Sequence, residues 1–181
     1  MNLANRITLL RVLLVPVFVV VYYLEIPYSN YLAAAIFVIA SLTDALDGHI
    51  ARTRNLITNF GKFADPLADK VLAAAALIVL VGAGKVPAWI VIVIIAREFA
   101  ISGFRIIAAS EGITIAASKW GKAKTISQLT AIILLLMNNF PFSQIGIPMD
   151  IIMLYIALIL TIISGADYIM KNSHILNSGD R

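Results

Sequence analysis

Long apolar runs dominate this chain, and short polar breaks divide them into six segments. The runs cover approximately Ile7–Ile26, Tyr31–Arg52, Gly61–Val81, Val86–Ile107, Ser118–Phe140 and Met149–Lys171. Each is close to the roughly 20 residues that a helix needs to cross a bilayer. The breaks carry turn chemistry: Pro27 to Asn30, then Gly82-Ala83-Gly84, then Asn138 to Ser143 with Pro141 inside it. The pattern predicts an all-α integral membrane protein, with six transmembrane helices in a single bundle. No internal repeat or low-complexity stretch divides residues 1–181, so one domain is expected. The first run follows Arg6 and Arg11 and so resembles a signal peptide. No small-x-small site follows it, and it reads as a retained span.

Composition supports the membrane reading. Of 181 residues, 61% are hydrophobic, against about 45–50% in soluble domains, and the mean hydropathy is +0.94. The chain has no cysteine, which excludes disulfides, thiolate nucleophiles and cysteine-bound metals. Two histidines, His49 and His174, leave no histidine-rich site. The metal chemistry open to the chain is hard-oxygen chemistry on carboxylates.

A net charge of +4 would raise the question of nucleic acid in a soluble protein. Here the basic residues flank the apolar runs, with no basic stripe interleaved with aromatics, and no nucleic-acid partner is expected. Eleven of the fourteen Lys and Arg residues fall at one end of the spans: Arg6, Arg11, Arg52, Arg54, Lys62, Arg105, Lys119, Lys122, Lys124, Lys171 and Arg181. Lys70 and Arg97 lie inside spans, and Lys85 alone sits in an opposite-side loop. By the positive-inside rule the rich end is cytoplasmic, which makes both termini cytoplasmic. Tyr22, Tyr23, Tyr28 and Tyr31 are placed as an interfacial belt at the other end.

The chemistry concentrates in four of the ten acidic residues, Asp44, Asp47, Asp65 and Asp69. Asp44 and Asp47 are three apart near the end of the second span, and Asp65 and Asp69 are four apart near the start of the third. Such spacings share a helix face, and the short connection between the spans brings the pairs to one depth. A charge at membrane depth costs roughly 3 kcal/mol or more, so four carboxylates call for neutralisation. Carboxylate-only ligation suits Mg2+ or Mn2+, and two ions roughly 4 Å apart are a common device for phosphoryl displacement. Helix capping or salt bridges to Arg52, Arg54, Lys62 and Lys70 would be the blander role, and a proton or cation path a rival one. The outer halves of the spans, such as Ala73–Val81 and Leu129–Met137, are nearly all apolar, which counts against a path. Pro66 leaves two starts for the third span: Gly61, or Pro66 itself with Asp65 as N-cap and a looser Asp65–Asp69 facing.

The pattern Asp44-x2-Asp47-Gly48-x2-Ala51-Arg52-x8-Gly61-x3-Asp65-x3-Asp69 resembles the signature of the CDP-alcohol phosphotransferase family, at the family's spacing. The resemblance implies a six-helix membrane enzyme, usually a homodimer, with its site open to the cytoplasm; a plasma-membrane location follows from that reading. It implies Asp44, Asp47, Asp65 and Asp69 as ligands of two divalent ions, with Asp69 also the general base. Gly48 and Gly61 would give the nucleotide close approach, Ala51 would line the cytidine pocket and Arg52 would hold CDP. Asn5 and Thr8 would also contact the donor, although capping would explain them too.

Two further stretches, Arg97 to Arg105 and Ser118 to Gln128, resemble the branch of the family whose acceptor carries a phosphate. Arg105, Lys119, Lys122 and Lys124 would bind that phosphate at the cytoplasmic mouth, unless they serve only as topological anchors. Arg97 and Glu98 are expected to pair with buried polar groups. The implied reaction transfers phosphatidyl from CDP-diacylglycerol, drawn from membrane lipid, to sn-glycerol 3-phosphate, giving phosphatidylglycerophosphate and CMP. Inositol phosphate, serine or another alcohol remain alternative acceptors, and a divalent-cation or proton transporter a remote one.

Overall fold

The computed structural model describes the backbone of residues 3–53, 59–110, 113 and 118–178, and the side chains of 10–43, 70–109, 113 and 118–172. The described chain is all-helical. Its order is α1 (Leu3–Tyr23), α2 (Ser29–Thr53), α3 (Asn59–Gly82), α4 (Ala88–Ser110), α5 (Lys119–Leu136), a 3-10 turn (Phe142–Ile145) and α6 (Met149–Ser178). The six helices follow the six apolar runs, and their ends lie where the sequence places turn residues. Gly84 takes φ +70°, a left-handed value that suits glycine, in the α3–α4 turn. One boundary differs in consequence. α3 begins at Asn59, so Pro66 lies inside the helix and Asp65 is not its N-cap. Helical backbone through 65–69 sets those two positions one turn apart.

α1 packs on α2 and α3, α5 on α6, and α4 on α3 and α6. The core is aliphatic with a Phe18–Phe37 pair, whose ring centroids lie 6.1 Å apart. Leu72, Leu77, Leu80, Ile90, Ile132 and Leu136 are each at most 1% exposed. Outside this core every helix turns large apolar side chains outward: Leu13, Ile39, Ile78, Ile92, Ile126 and Ile162 are 57–66% exposed. Scattered exposed leucines are ordinary, but apolar surface on all six helices is what a lipid-facing exterior presents. Among the described residues, one stretch, Met149–Asn172, is long and apolar enough on its own to cross a membrane, with a mean hydropathy of 2.2. Leu10–Tyr23, Ser29–Thr43 and Lys70–Gly82 are shorter apolar stretches.

The end opposite the aspartates is tied by Lys85, in the α3–α4 turn. Its Nζ donates to the carbonyl of Leu135 at 3.0 Å and to Oδ1 of Asn138 at 2.6 Å, and it lies 6.0 Å from the Tyr22 ring centroid. Burial holds its pKa below the ordinary lysine value, against the opposing field of Asp150. Asn139 links the α5–α6 connection by donating to the Ile147 carbonyl at 2.7 Å and accepting from the Asp150 amide at 3.2 Å. The Phe18, Tyr22 and Tyr23 rings form a chain at this end, and the Tyr28 and Tyr31 rings meet at a tilt of 59°.

Candidate functional site

The backbone places Asp44 and Asp47 in the last turns of α2, and Asp65 and Asp69 in the first turns of α3, on consecutive helices that pack together. The side chains of Asn5, Thr8, Asp44, Asp47, Gly48, Ala51, Arg52, Gly61, Asp65 and Asp69 lie outside the described residues. What can be built in full is the ground next to them, which starts at Lys70, the residue after Asp69.

Lys70 lies on α3 and donates from Nζ to the Ser102 hydroxyl on α4. Ser102 in turn donates to the Glu98 carbonyl one turn back, at 2.5 Å. Glu98 Oε1 takes the ammonium of Lys124 from α5 and Nη1 of its neighbour Arg97 at 3.0 Å. The Nη2 of Arg97 reaches α6, where it donates to Ser164 Oγ at 2.9 Å. Gly165 makes that approach possible: a Cβ there would lie 3.3 Å from Arg97 Cγ. One belt of charged and hydroxyl groups therefore crosses α3, α4, α5 and α6 at a single level. Buried polar groups must be paired to be tolerable away from water, and pairing of Arg97 and Glu98 with buried partners is what the sequence led one to expect.

Above this belt lies a cavity of about 480 Å³ lined by Lys70, Arg97, Glu98, Arg105, Lys122 and Tyr168, among others. Its volume is that of a small-molecule site. Ser118 also lines it and caps α5, its Oγ accepting from the Gly121 amide at 3.0 Å. The cationic start of α5 thus opens on the same space, and a helix N-terminus favours an anion. Among the described residues, four cations and one carboxylate line the cavity, and such a lining suits an anionic ligand.

The four cations expected to bind a phosphate separate in the structure. Arg105 and Lys122 line the cavity. Lys119 is exposed on the first turn of α5 and does not line it. Lys124 departs from expectation: placed by sequence at an open mouth, it is 2% exposed and engaged by Glu98. Its helix position turns it inward, where the Glu98 carboxylate offsets the cost of burying the charge. Sequence reasoning missed Tyr168, whose ring carries Arg105 at 5.5 Å from its centroid to the guanidinium carbon. Nothing in a lone tyrosine late in an apolar run marked it. The adjacent Ser164-Gly165, a small pair facing Arg97, was the available hint of close helix approach.

Among the described residues no three His, Cys, Asp or Glu side chains gather in a metal-binding group. The donor set that would serve a metal is the aspartate quartet. Two oxygen-donor pairs at helical spacing on adjoining helices fit a hard divalent ion in the kind of donor they offer.

The chain is similar to known proteins over nearly its whole length. The sequence profile of the CDP-alcohol phosphatidyltransferase family matches residues 1–163. A Bacillus subtilis protein called CDP-diacylglycerol–glycerol-3-phosphate 3-phosphatidyltransferase is 44% identical, over 99% of both chains. Proteins of the same name from Haemophilus influenzae and Rickettsia bellii are 42% and 38% identical. The first covers 93% of this chain and 91% of its own, the second 92% and 93%. With its aspartate signature carried on two packed helices and a cationic cavity beside it, the chain belongs to the CDP-alcohol phosphatidyltransferase family.

Proposed function

We propose that this protein transfers the phosphatidyl group of CDP-diacylglycerol to sn-glycerol 3-phosphate, releasing CMP and forming phosphatidylglycerophosphate. The observation that carries the reading is the cationic cavity, which lies directly against the turn of α3 that bears Asp69. An alcohol that brings its own phosphate needs such a cavity; free serine or choline does not. Near-full-length similarity to relatives named for this reaction supports the same acceptor.

In this reading Arg105 and Lys122 hold the acceptor phosphate, with Lys119 at the exposed rim. Lys124 acts through Glu98 to keep the cavity floor in place and does not itself meet the phosphate. Arg52, Ala51, Gly48, Gly61, Asn5 and Thr8 take the CDP side of the donor. Asp44, Asp47, Asp65 and Asp69 hold divalent cations, Mg2+ or Mn2+, which when bound would balance the carboxylates and stabilise charge on the departing phosphate. Asp69 takes the proton of the primary hydroxyl. That oxygen attacks the phosphorus bearing diacylglycerol, and the bond to the CMP oxygen breaks with its electron pair leaving on CMP. No covalent enzyme intermediate is required.

The setting we infer is a six-span bundle formed by residues 1–181 as one domain, in the plasma membrane, with the site and both termini facing the cytoplasm. The outward apolar residues on all six helices support it, as does the crowding of basic residues at the aspartate end. The family resemblance adds a homodimer. A cation or proton path is disfavoured because the core between Lys70 and the opposite end is built of Leu72, Ala76, Leu77, Leu80, Ile90 and Ile94.

The test is CMP release from CDP-diacylglycerol with a panel of acceptors. Glycerol 3-phosphate should be turned over, and Asp69→Asn should abolish the activity. Turnover of serine or inositol phosphate in its place would overturn the acceptor assignment.

A further inference from the structure

The wall of the 480 Å³ cavity holds a single aromatic ring among the described residues, that of Tyr168 on α6. Its surroundings are unusual in three ways. The residue is 4% exposed although it lines a cavity. Its hydroxyl is buried with no hydrogen-bond partner among the described residues. And two consecutive residues of α4 engage its ring: Phe104 edge-on, with centroids 5.6 Å apart and planes at 83°, and Arg105 with its guanidinium carbon 5.5 Å from the centroid. Neighbours on a helix point about 100° apart, so one ring touching both must be wedged between them.

A buried phenol ordinarily finds a partner for its hydroxyl, and among the described residues Tyr168 has none. What the residue does engage, it engages through its ring, which faces the Arg105 guanidinium. An arginine at the edge of a cavity has several rotatable bonds, and confining it before the ligand arrives removes an ordering cost from binding. The electron-rich face of Tyr168 provides that confinement, while Phe104 fixes the tilt of the ring.

We propose that Tyr168 is a positioning residue for the acceptor: its ring aims Arg105 across the cavity at the acceptor's phosphate. This rests on the acceptor reading given above and adds to it a residue that determines how well that phosphate is held.

The test measures CMP release from the full chain in detergent–lipid micelles, varying glycerol 3-phosphate and CDP-diacylglycerol separately. Tyr168→Leu should raise the acceptor KM about three- to tenfold and leave the donor KM unchanged. Tyr168→Phe, which keeps the ring and removes only the orphaned hydroxyl, should restore the acceptor KM to within about twofold of wild type. Trifluorophenylalanine at the same position keeps the ring's shape but weakens its negative face, and should behave like leucine. It also decides the matter if the leucine variant does not fold. In an Arg105→Ala background, Tyr168→Leu should add no further rise. A wild-type acceptor KM in the fluorinated variant, equal rises in both KM values, or additivity with Arg105→Ala would overturn the inference. Wild-type protein that fails to turn over glycerol 3-phosphate would sink the acceptor reading and this inference together; an active wild type with any of those three results sinks this one alone.

Discussion

Lys124 of α5 and Glu98 of α4 form an ion pair whose ammonium is almost wholly buried, at 2% exposure. The pair joins two helices at the floor of the cationic cavity. A buried charge keeps its place only while its partner remains, because the desolvation cost is otherwise unmet.

Glu98→Leu, which removes the carboxylate from that ammonium, is expected to destabilise the fold by about 3 kcal/mol. Combining it with Lys124→Met should recover part of the loss, since an apolar pair of similar volume often matches a buried ion pair, while Arg97 still lacks the carboxylate it shared. Thermal unfolding in mild detergent reads both. A double variant no more stable than Glu98→Leu would show that the pair is not the unit that matters.

Gly165 sets how closely α6 approaches Arg97. A Cβ there would meet Arg97 Cγ at 3.3 Å, and Arg97 is held by Glu98 and Ser164. Gly165→Ala gains about 1 kcal/mol of helix propensity, which should roughly offset the small displacement and leave stability near wild type. Gly165→Val adds bulk that the pinned guanidinium cannot avoid, and should cost about 1–3 kcal/mol. Equal stabilities for the two variants would mean that α6 shifts freely.

Arg105 and Lys119 separate the cavity from its rim. Arg105→Ala should raise the glycerol 3-phosphate KM about tenfold or more, as loss of a charge-assisted hydrogen bond does, with a smaller change for the donor. Lys119→Ala should move it less than threefold, because an exposed cation outside the cavity is screened by water and salt. Steady-state kinetics on both substrates checks this, and a larger effect at Lys119 would relocate the phosphate.

Exhaustive chelation should abolish CMP release, and Mg2+ or Mn2+ should restore it, because four carboxylates near one depth repel each other without a counter-ion. Full activity after chelation would remove the role assigned to Asp44, Asp47, Asp65 and Asp69.

How much of this was legible in sequence depends on the range of the interaction concerned. Asp44/Asp47 and Asp65/Asp69 were readable as pairs because three- and four-residue spacings on a helix are local geometry. The position of Pro66 was not settled locally, since proline is compatible with a helix start. In the structure α3 reaches back to Asn59 and holds the proline inside. Lys122 and Lys124 are two apart and look alike as letters, yet one lines the cavity and the other is buried against Glu98. Two residues on a helix are 200° apart, and only the position of α4 decided which of them faced in.

By itself the sequence determined six helices and their approximate extents, the end at which the charges gather, and the aspartate spacing, all of which follow from hydropathy and helical period along the chain. Tertiary structure decided which cations line the cavity and which hold helices together. It made Tyr168, silent as a letter, the seat of Arg105. Those outcomes depend on helix rotation and on contacts between residues far apart in sequence, such as Arg97 with Ser164 and Arg105 with Tyr168. No spacing rule reaches across such distances, because the rotation of each helix is set by the packing of all its neighbours at once.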